Sequence, residues 1–263
     1  MNVLTQSIEI FKHLMSNFLN KIGLHARFRT NRTFPSVVAI NAYHDQFIDW
    51  QVNMTGGGRS IEIPWMLRQT RNIEHCFVLD VGCVSNHDPL SRISTERYFL
   101  NRNNKFLGID SRKPVKMSEL SLFCQADAVN LPIQDETFDV VICISVLEHI
   151  GLGKYVQSGL NDKADYQAFM EMIRVLKRRG RLYLTVPFGV DMIWEGWVRS
   201  YTRERLDDML RACPYPVCEE KSDFFKNTRE GWLFSNSNDL SNVRMFEKVD
   251  DIEGLYCGLF IKN

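Results

Sequence analysis

The sequence predicts an α/β protein with a doubly wound parallel sheet at its centre, and three observations carry that prediction. Near-continuous apolar runs rich in Val, Ile and Leu recur at 77–82, 106–109, 139–144 and 181–186, as expected of strands covered on both faces. Helix-length stretches separate them. The first two runs, Phe77-Val78-Leu79-Asp80-Val81-Gly82-Cys83 and Phe106-Leu107-Gly108-Ile109-Asp110, each lead into an acid, and those acids lie one βαβ unit apart, the repeat of nucleotide-binding sheets.

Residues 1–74 precede the first run and form an N-terminal helical or lid segment, with the sheet domain at 75–263. Leu4, Ile8, Phe11, Met15, Phe18 and Ile22 recur at steps of four and three, which defines an amphipathic helix with a bulky apolar stripe. That stripe must pack on something. A flank or lid on the core is the favoured reading, a homodimer contact through this helix is second, and membrane-surface attachment is last because few lysines border the stripe. Farther on, Asn41-Ala42-Tyr43-His44-Asp45 and Gly56-Gly57-Gly58-Arg59-Ser60-Ile61-Glu62-Ile63-Pro64-Trp65 couple a glycine hinge to aromatic and polar residues, as a closing segment would. The same residues also read as a helix start, with Pro64 in the first turn and Glu62 complementing the dipole.

At the first turn, Gly82 lets backbone approach a ligand, and Asp110 at the end of the second strand can accept both hydroxyls of a ribose. The turn lacks the further glycines that close a helix N-terminus on a pyrophosphate, since Gly82 is followed by Val84, Ser85, Asn86 and His87. A dinucleotide is therefore disfavoured. Asp80 at the start of the turn also disfavours a polyanion, and it suits a nucleoside that carries an ammonium or sulfonium charge, such as S-adenosylmethionine.

Beyond the second strand come Gln125-Ala126-Asp127-Ala128-Val129-Asn130-Leu131-Pro132-Ile133 and Thr137-Phe138-Asp139-Val140-Val141-Ile142-Cys143-Ile144-Ser145-Val146-Leu147-Glu148-His149-Ile150. A helix is predicted from about Asp165 to Arg178, because Phe169, Met172, Ile173 and Leu176 share one face, basic residues gather at the end and Gly180 can supply a left-handed stop. Then follows Val175-Leu176-Lys177-Arg178-Arg179-Gly180-Arg181-Leu182-Tyr183-Leu184-Thr185-Val186-Pro187. Another helix is predicted from Thr202, as N-cap, to about Arg211, with Leu206, Met209 and Leu210 on its buried side. Leu255-Tyr256-Cys257-Gly258-Leu259-Phe260-Ile261 reads as a terminal strand.

In their order, the four blocks spanning residues 77–187 resemble the class I (Rossmann-like) S-adenosylmethionine-dependent methyltransferases of the small-molecule type. The resemblance implies a mostly parallel, seven-stranded sheet whose last strand runs antiparallel. It implies S-adenosyl-L-methionine as cofactor and S-adenosyl-L-homocysteine as product. Carried over by position, Asp80, Gly82 and Cys83 face the amino-acid part of the cofactor, Asp110 with Ser111 the ribose, Asp127 with Ala128 the adenine, and Ser145 and Val146 lie along it by backbone contact. One departure is Val84, where many members carry a second glycine. Structural alternatives stand beside these roles: a plain turn at Gly82, a solvated strand-end acid at Asp110 and an Asx-turn at Asp127.

Composition fits a soluble enzyme. The 263 residues are 44% hydrophobic and 24% charged, enough for one substantial core. Lysines plus arginines equal acids at 32 each, so no overall attraction to nucleic acid or anionic membrane is built in. The seven cysteines, at 76, 83, 124, 143, 213, 218 and 257, lack the spacing of zinc sites or disulfide scaffolds and read as thiols in a reducing compartment. No metal is expected. No apolar run reaches the length of a membrane span, and no signal pattern opens the chain, so a cytoplasmic location is expected.

Methyl transfer is an in-line displacement in which positioning does most of the work, yet a hydroxyl acceptor gains from a base. His149, following Glu148 where the fourth strand opens, is the best-placed candidate base or substrate orienter, with bracing of the loop as its structural alternative. His44, His87 and Glu62 are outside candidates. Met192-Ile193-Trp194-Glu195-Gly196-Trp197-Val198-Arg199-Ser200-Tyr201 offers two tryptophans for an acceptor wall or for core packing. Arg199, Arg203 and Arg205 suit either an anionic group on the acceptor or a solvated helix start. The leading reading is methylation of a hydroxyl or amine on a small molecule such as a sugar or secondary metabolite. Behind it stand a same-fold enzyme of other nucleoside chemistry and a noncatalytic cofactor-binding partner protein.

Overall fold

A computed structural model of the protein describes residues 57–84, 89–114, 122–152, 161–249 and 251–263, all in one unit, Phe34–Asn263. The predicted N-terminal helix, His44 and His87 lie outside the described residues. In chain order the elements are α1 (Arg59–Gln69), β1 (Phe77–Val81), α2 (Pro89–Leu100), β2 (Lys105–Asp110), β3 (Leu122–Gln125) and β4 (Phe138–Ile144). A 3-10 turn (Leu147–His149) leads to α3 (Ala164–Val175), β5 (Leu176–Pro187), β6 (Met192–Trp194), β7 (Val198–Ser200) and α4 (Arg203–Ala212). β8 (Val217–Thr228), β9 (Gly231–Ser235), α5 (Ser237–Leu240) and β10 (Gly254–Lys262) complete the chain. None of the helices among the described residues is long and apolar enough to cross a membrane.

The main sheet has the order β3-β2-β1-β4-β5-β10-β8-β9. β1 to β5 pair in parallel, and β10 runs antiparallel between β5 and β8, as the terminal strand is expected to do. The sheet has eight strands where seven are expected. The extra one is β9, which folds back on β8 through a turn at Gly231 (φ 120°) and buries Trp232.

Period-two alternation explains why the strands read as continuous apolar runs. Leu79, Val141, Cys143, Leu182 and Leu184 face one way, against Phe169, Met172 and Ile173 of α3 and Leu206 and Met209 of α4. Val78, Val140, Ile142 and Tyr183 face the other, against Ile61, Trp65, Met66 and Leu67 of α1. Both faces of these central strands are covered, so their sequences are largely apolar on successive positions. Each fully buried side chain such as Phe169 or Met66 contributes about 1.5–3 kcal/mol relative to exposure.

Two predicted boundaries can be compared with the structure. Thr202 caps α4 as expected, its Oγ1 accepting from the N–H of Arg205 at 3.1 Å. α3, however, stops at Val175 rather than near Arg178. Its last carbonyls are taken by the neighbouring strands: Glu136 and Thr137 N–H donate to Arg174 and Val175 at 3.2 and 2.8 Å, and Lys262 Nζ donates to Arg174 O and Leu176 O at 3.1 and 2.8 Å. The left-handed residue is Arg179 (φ 62°), not Gly180. Gly180 is needed for a different reason, since a Cβ there would lie 2.8 Å from Lys177 O.

Candidate functional site

Strand order reverses between β1 and β4, and in an open α/β sheet the crevice at the carboxyl ends of such strands is where ligands bind. The chain directs four buried carboxylates to this region: Asp80 on β1, Asp110 closing β2, Glu148 in the turn after β4, and Glu62 on α1, which docks there. They are 8%, 5%, 1% and 0% exposed respectively.

The first turn is built on Gly82, whose φ of 76° suits glycine. Its N–H and that of Cys83 donate to Ile109 O at 2.8 and 3.1 Å, which ties the turn to β2. A Cβ on Gly82 would overlap both methyls of Val146, so the loop after β4 rests directly on the turn after β1. Cys83 is buried.

Asp110 is more heavily engaged than its sequence position suggests. Oδ2 accepts from Val84 N–H at 2.9 Å and from the Arg112 guanidinium at 3.0 Å. Oδ1 accepts from Arg112 N–H and Nε–H, both at 2.9 Å. Arg112 also donates to Val84 O, clamping the ends of β1 and β2 together. A carboxylate offers about four acceptor sites, so ribose hydroxyls reach Asp110 only by displacing Arg112. The Ser111 carbonyl accepts from Gln125 Nε2 at 2.8 Å. Asp127 forms the Asx-turn, its Oδ1 accepting from Val129 N–H at 3.1 Å, and Ala128 packs partly buried against the core.

Past β4, Ser145 has a left-handed φ of 50°, costly for a residue with a Cβ. Its conformation is over-determined: N–H donates to Thr185 Oγ1 at 3.0 Å, and Oγ donates to Glu62 Oε1 at 2.5 Å. Thr185 Oγ1 donates to the same Glu62 oxygen at 2.6 Å, and Arg59 Nη1 donates to Ile144 O at 2.5 Å. Glu62 thus braces three elements, and the reading of it as a dipole-complementing helix residue accounts for little of this. Glu62 Oε2 and Glu148 Oε2 have no hydrogen-bond partner among the described residues. Burial, with the Glu62 charge beside it, pushes the Glu148 carboxyl up to about 8.

His149 lies at the exit of this cluster. Its ring stacks on Trp197 with centroids 5.3 Å apart and 2° between planes, and Nδ1–H donates to Trp197 O at 2.7 Å. That tautomer leaves Nε2 as the basic nitrogen, 3.8 Å from Glu148 Oε1. Trp197 sits on the β6–β7 hairpin, whose turn places Glu195 and Gly196 at φ 45° and 73°. Trp194 packs on Trp197 and on Phe246 at 5.7 and 4.1 Å between centroids, so an aromatic wall stands beside His149.

The three arginines do not face an acceptor. Arg199 is 1% exposed and pairs with Asp165 at 2.9 Å and Asp162 at 2.8 Å. Arg205 pairs with Asp165 at 3.0 Å, and Arg203 with Asp207 and Glu219, both at 2.5 Å. Arg199 and Arg205 are internal ties, whereas Arg203, a third exposed at the start of α4, keeps the character of a helix-start residue while tied to Asp207 and Glu219.

The acidic lining suits a cationic nucleoside better than a polyanion, and the Arg112 clamp obstructs ribose. The family model described as a methyltransferase domain matches residues 79–184. An uncharacterized protein of Methanocaldococcus jannaschii is 30% identical over 131 residues, covering 48% of this chain. The match spans 47% of that relative, about half its length. Among solved structures, a 1,6-didemethyltoxoflavin-N1-methyltransferase of Burkholderia thailandensis with bound 1,6-didemethyltoxoflavin and S-adenosylhomocysteine superposes with a TM-score of 0.50 at 14% identity, covering 86% of each chain. The [4+2]-cyclase SpnF superposes with a TM-score of 0.51 at 18% identity, covering 76% of this chain and 79% of its own.

Proposed function

We propose that this chain, which carries a class I S-adenosylmethionine-dependent methyltransferase domain, transfers a methyl group to a hydroxyl or amine of a small molecule. The observation that carries the reading is the convergence of Asp80, Asp110, Glu62 and Glu148 on the strand ends where β1 and β4 part. Bound S-adenosylmethionine supplies an electrophilic methyl on a sulfonium.

The chain's contribution is mainly positioning, which in well-oriented systems is worth about 7–11 kcal/mol. Asp80, Gly82, Cys83, Ser145 and Val146 hold the amino-acid end, Asp110 and Ser111 the ribose once Arg112 swings aside, and Asp127 and Ala128 the adenine. His149 Nε2 takes the proton of a hydroxyl acceptor or orients an amine. The aromatic wall of Trp194 and Trp197 receives the acceptor.

The test is transfer of labelled methyl to small hydroxyl and amine acceptors, with His149→Ala as the control. Incorporation that depends on His149 supports the reading. A second reading, other chemistry on the same fold, is favoured by the similarity to SpnF, which is a cyclase. Turnover of a substrate without loss of the labelled methyl from the cofactor would select it.

A further inference from the structure

We propose that Glu148, with Glu62 beside it, is the counter-charge for the sulfonium of the cofactor, so that S-adenosylmethionine binds with release of a proton from Glu148 and S-adenosylhomocysteine does not. The inference rests on the cofactor reading above and deepens it at one atom.

Placement is the first argument. Val146 lies on Gly82, and the next turn of chain, Leu147–His149, is pinned by Tyr201 Oη, which donates to Leu147 O at 3.2 Å. Glu148 is therefore held at the same end of the crevice as the first turn. Electrostatics is the second. Glu148 is 1% exposed and its Oε2 lacks a hydrogen-bond partner among the described residues, a buried acceptor left unmet. Glu62 Oε2 is orphaned in the same way.

The groups around Glu148 do not neutralise it. Glu62 and Arg59 face it from α1, and Arg59 Nε is 4.0 Å from Glu62 Oε2. Cys143 on β4 feels both Glu148 and Asp80 of β1, Tyr201 just past β7 feels Glu148, and His149 Nε2 is 3.8 Å away. Acids exceed cations here. Without a ligand Glu148 holds its proton to about pH 8. A sulfonium favours the ionised form, so the proton leaves to solvent as the cation arrives. The two sulfur ligands differ by one methyl and one charge, which makes them matched probes.

The experiment is calorimetric titration of the full chain with S-adenosylmethionine and with S-adenosylhomocysteine in buffers of different ionisation enthalpy, from pH 6 to 9. Expected is release of close to one proton near pH 7 for the sulfonium ligand only. Its affinity relative to the thioether should rise about tenfold per pH unit below the titration of Glu148 and then level off. Glu148→Gln should abolish both effects while the thioether still binds; the wild-type buffer dependence needs no variant. Equal proton release and equal pH dependence for the two ligands would overturn the proposal. Binding of neither to folded protein would overturn the cofactor reading itself, a result distinct from the first.

Discussion

The side chain of Val146 occupies the space that a Cβ on Gly82 would need. Sixty-four positions apart in sequence, the two join the loop after β1 to the loop after β4 at the point where the sheet order reverses. Gly82→Ala should therefore both clash and strain the turn, since its φ of 76° costs a residue with a Cβ roughly 1–2 kcal/mol. We expect at least tenfold weaker S-adenosylhomocysteine binding in calorimetry. Adding Val146→Ala should restore part of it, and no rescue would mean that the contact is not the cause.

Arg112 fills the acceptor sites of Asp110. Partly exposed pairs of this kind are worth about 0.2–1 kcal/mol. Arg112→Ala should then tighten S-adenosylhomocysteine binding by about twofold to fivefold. Weaker binding instead would make Arg112 part of the ribose site rather than its competitor.

Glu148 gives the fold a pH dependence. The native state keeps its proton to about pH 8, whereas an unfolded glutamate loses it near 4.5. The stability it contributes is complete below about pH 4.5 and is lost as pH rises through about 8. Glu148→Gln carries no such loss. Its Tm, relative to the unsubstituted chain, should rise by on the order of 5 °C between pH 5 and pH 9. A constant difference would contradict the assignment.

Asp165 is 0% exposed and pairs with Arg199 and Arg205, and accepts from Tyr201 Oη at 2.9 Å. Removing one partner of a buried pair costs about 3–5 kcal/mol. Asp165→Ala should lower the denaturant midpoint accordingly and leave S-adenosylhomocysteine affinity within about twofold at low temperature. A selective loss of binding would place this network in the site.

His149 tests the chemistry. A positioned base contributes about 10²–10⁴-fold, so His149→Ala should reduce kcat by that range once an acceptor is in hand, with cofactor affinity unchanged. Full turnover would leave His149 with a bracing role against Trp197.

The parts legible in the sequence are those written in short range. Asp80 and Asp110 mark strand ends because apolar runs lead into them, and Thr202 marks a helix start because its cap bond spans three residues. β8 escaped because most of its positions are half exposed or exposed, so charged residues such as Glu219, Glu220 and Lys221 break any apolar run. The bracing role of Glu62 leaves no mark in the sequence, since its partners Ser145 and Thr185 lie 83 and 123 positions away. Arg112 does leave a signal: an arginine two residues after a strand-end aspartate can fold back on it. Arg199 and Arg205 read as available because Asp162 and Asp165, which pair with them, belong to a segment remote in sequence.

The central claim is that the β1–β4 crevice holds S-adenosylmethionine. Its most direct test is calorimetric titration of the purified chain with S-adenosylmethionine, S-adenosylhomocysteine and NADH, repeated with Asp110→Ala. The account predicts binding of the two sulfur ligands, weakened at least tenfold by the substitution, and none of NADH. Binding of NADH, or of no nucleoside by well-folded protein, would contradict it.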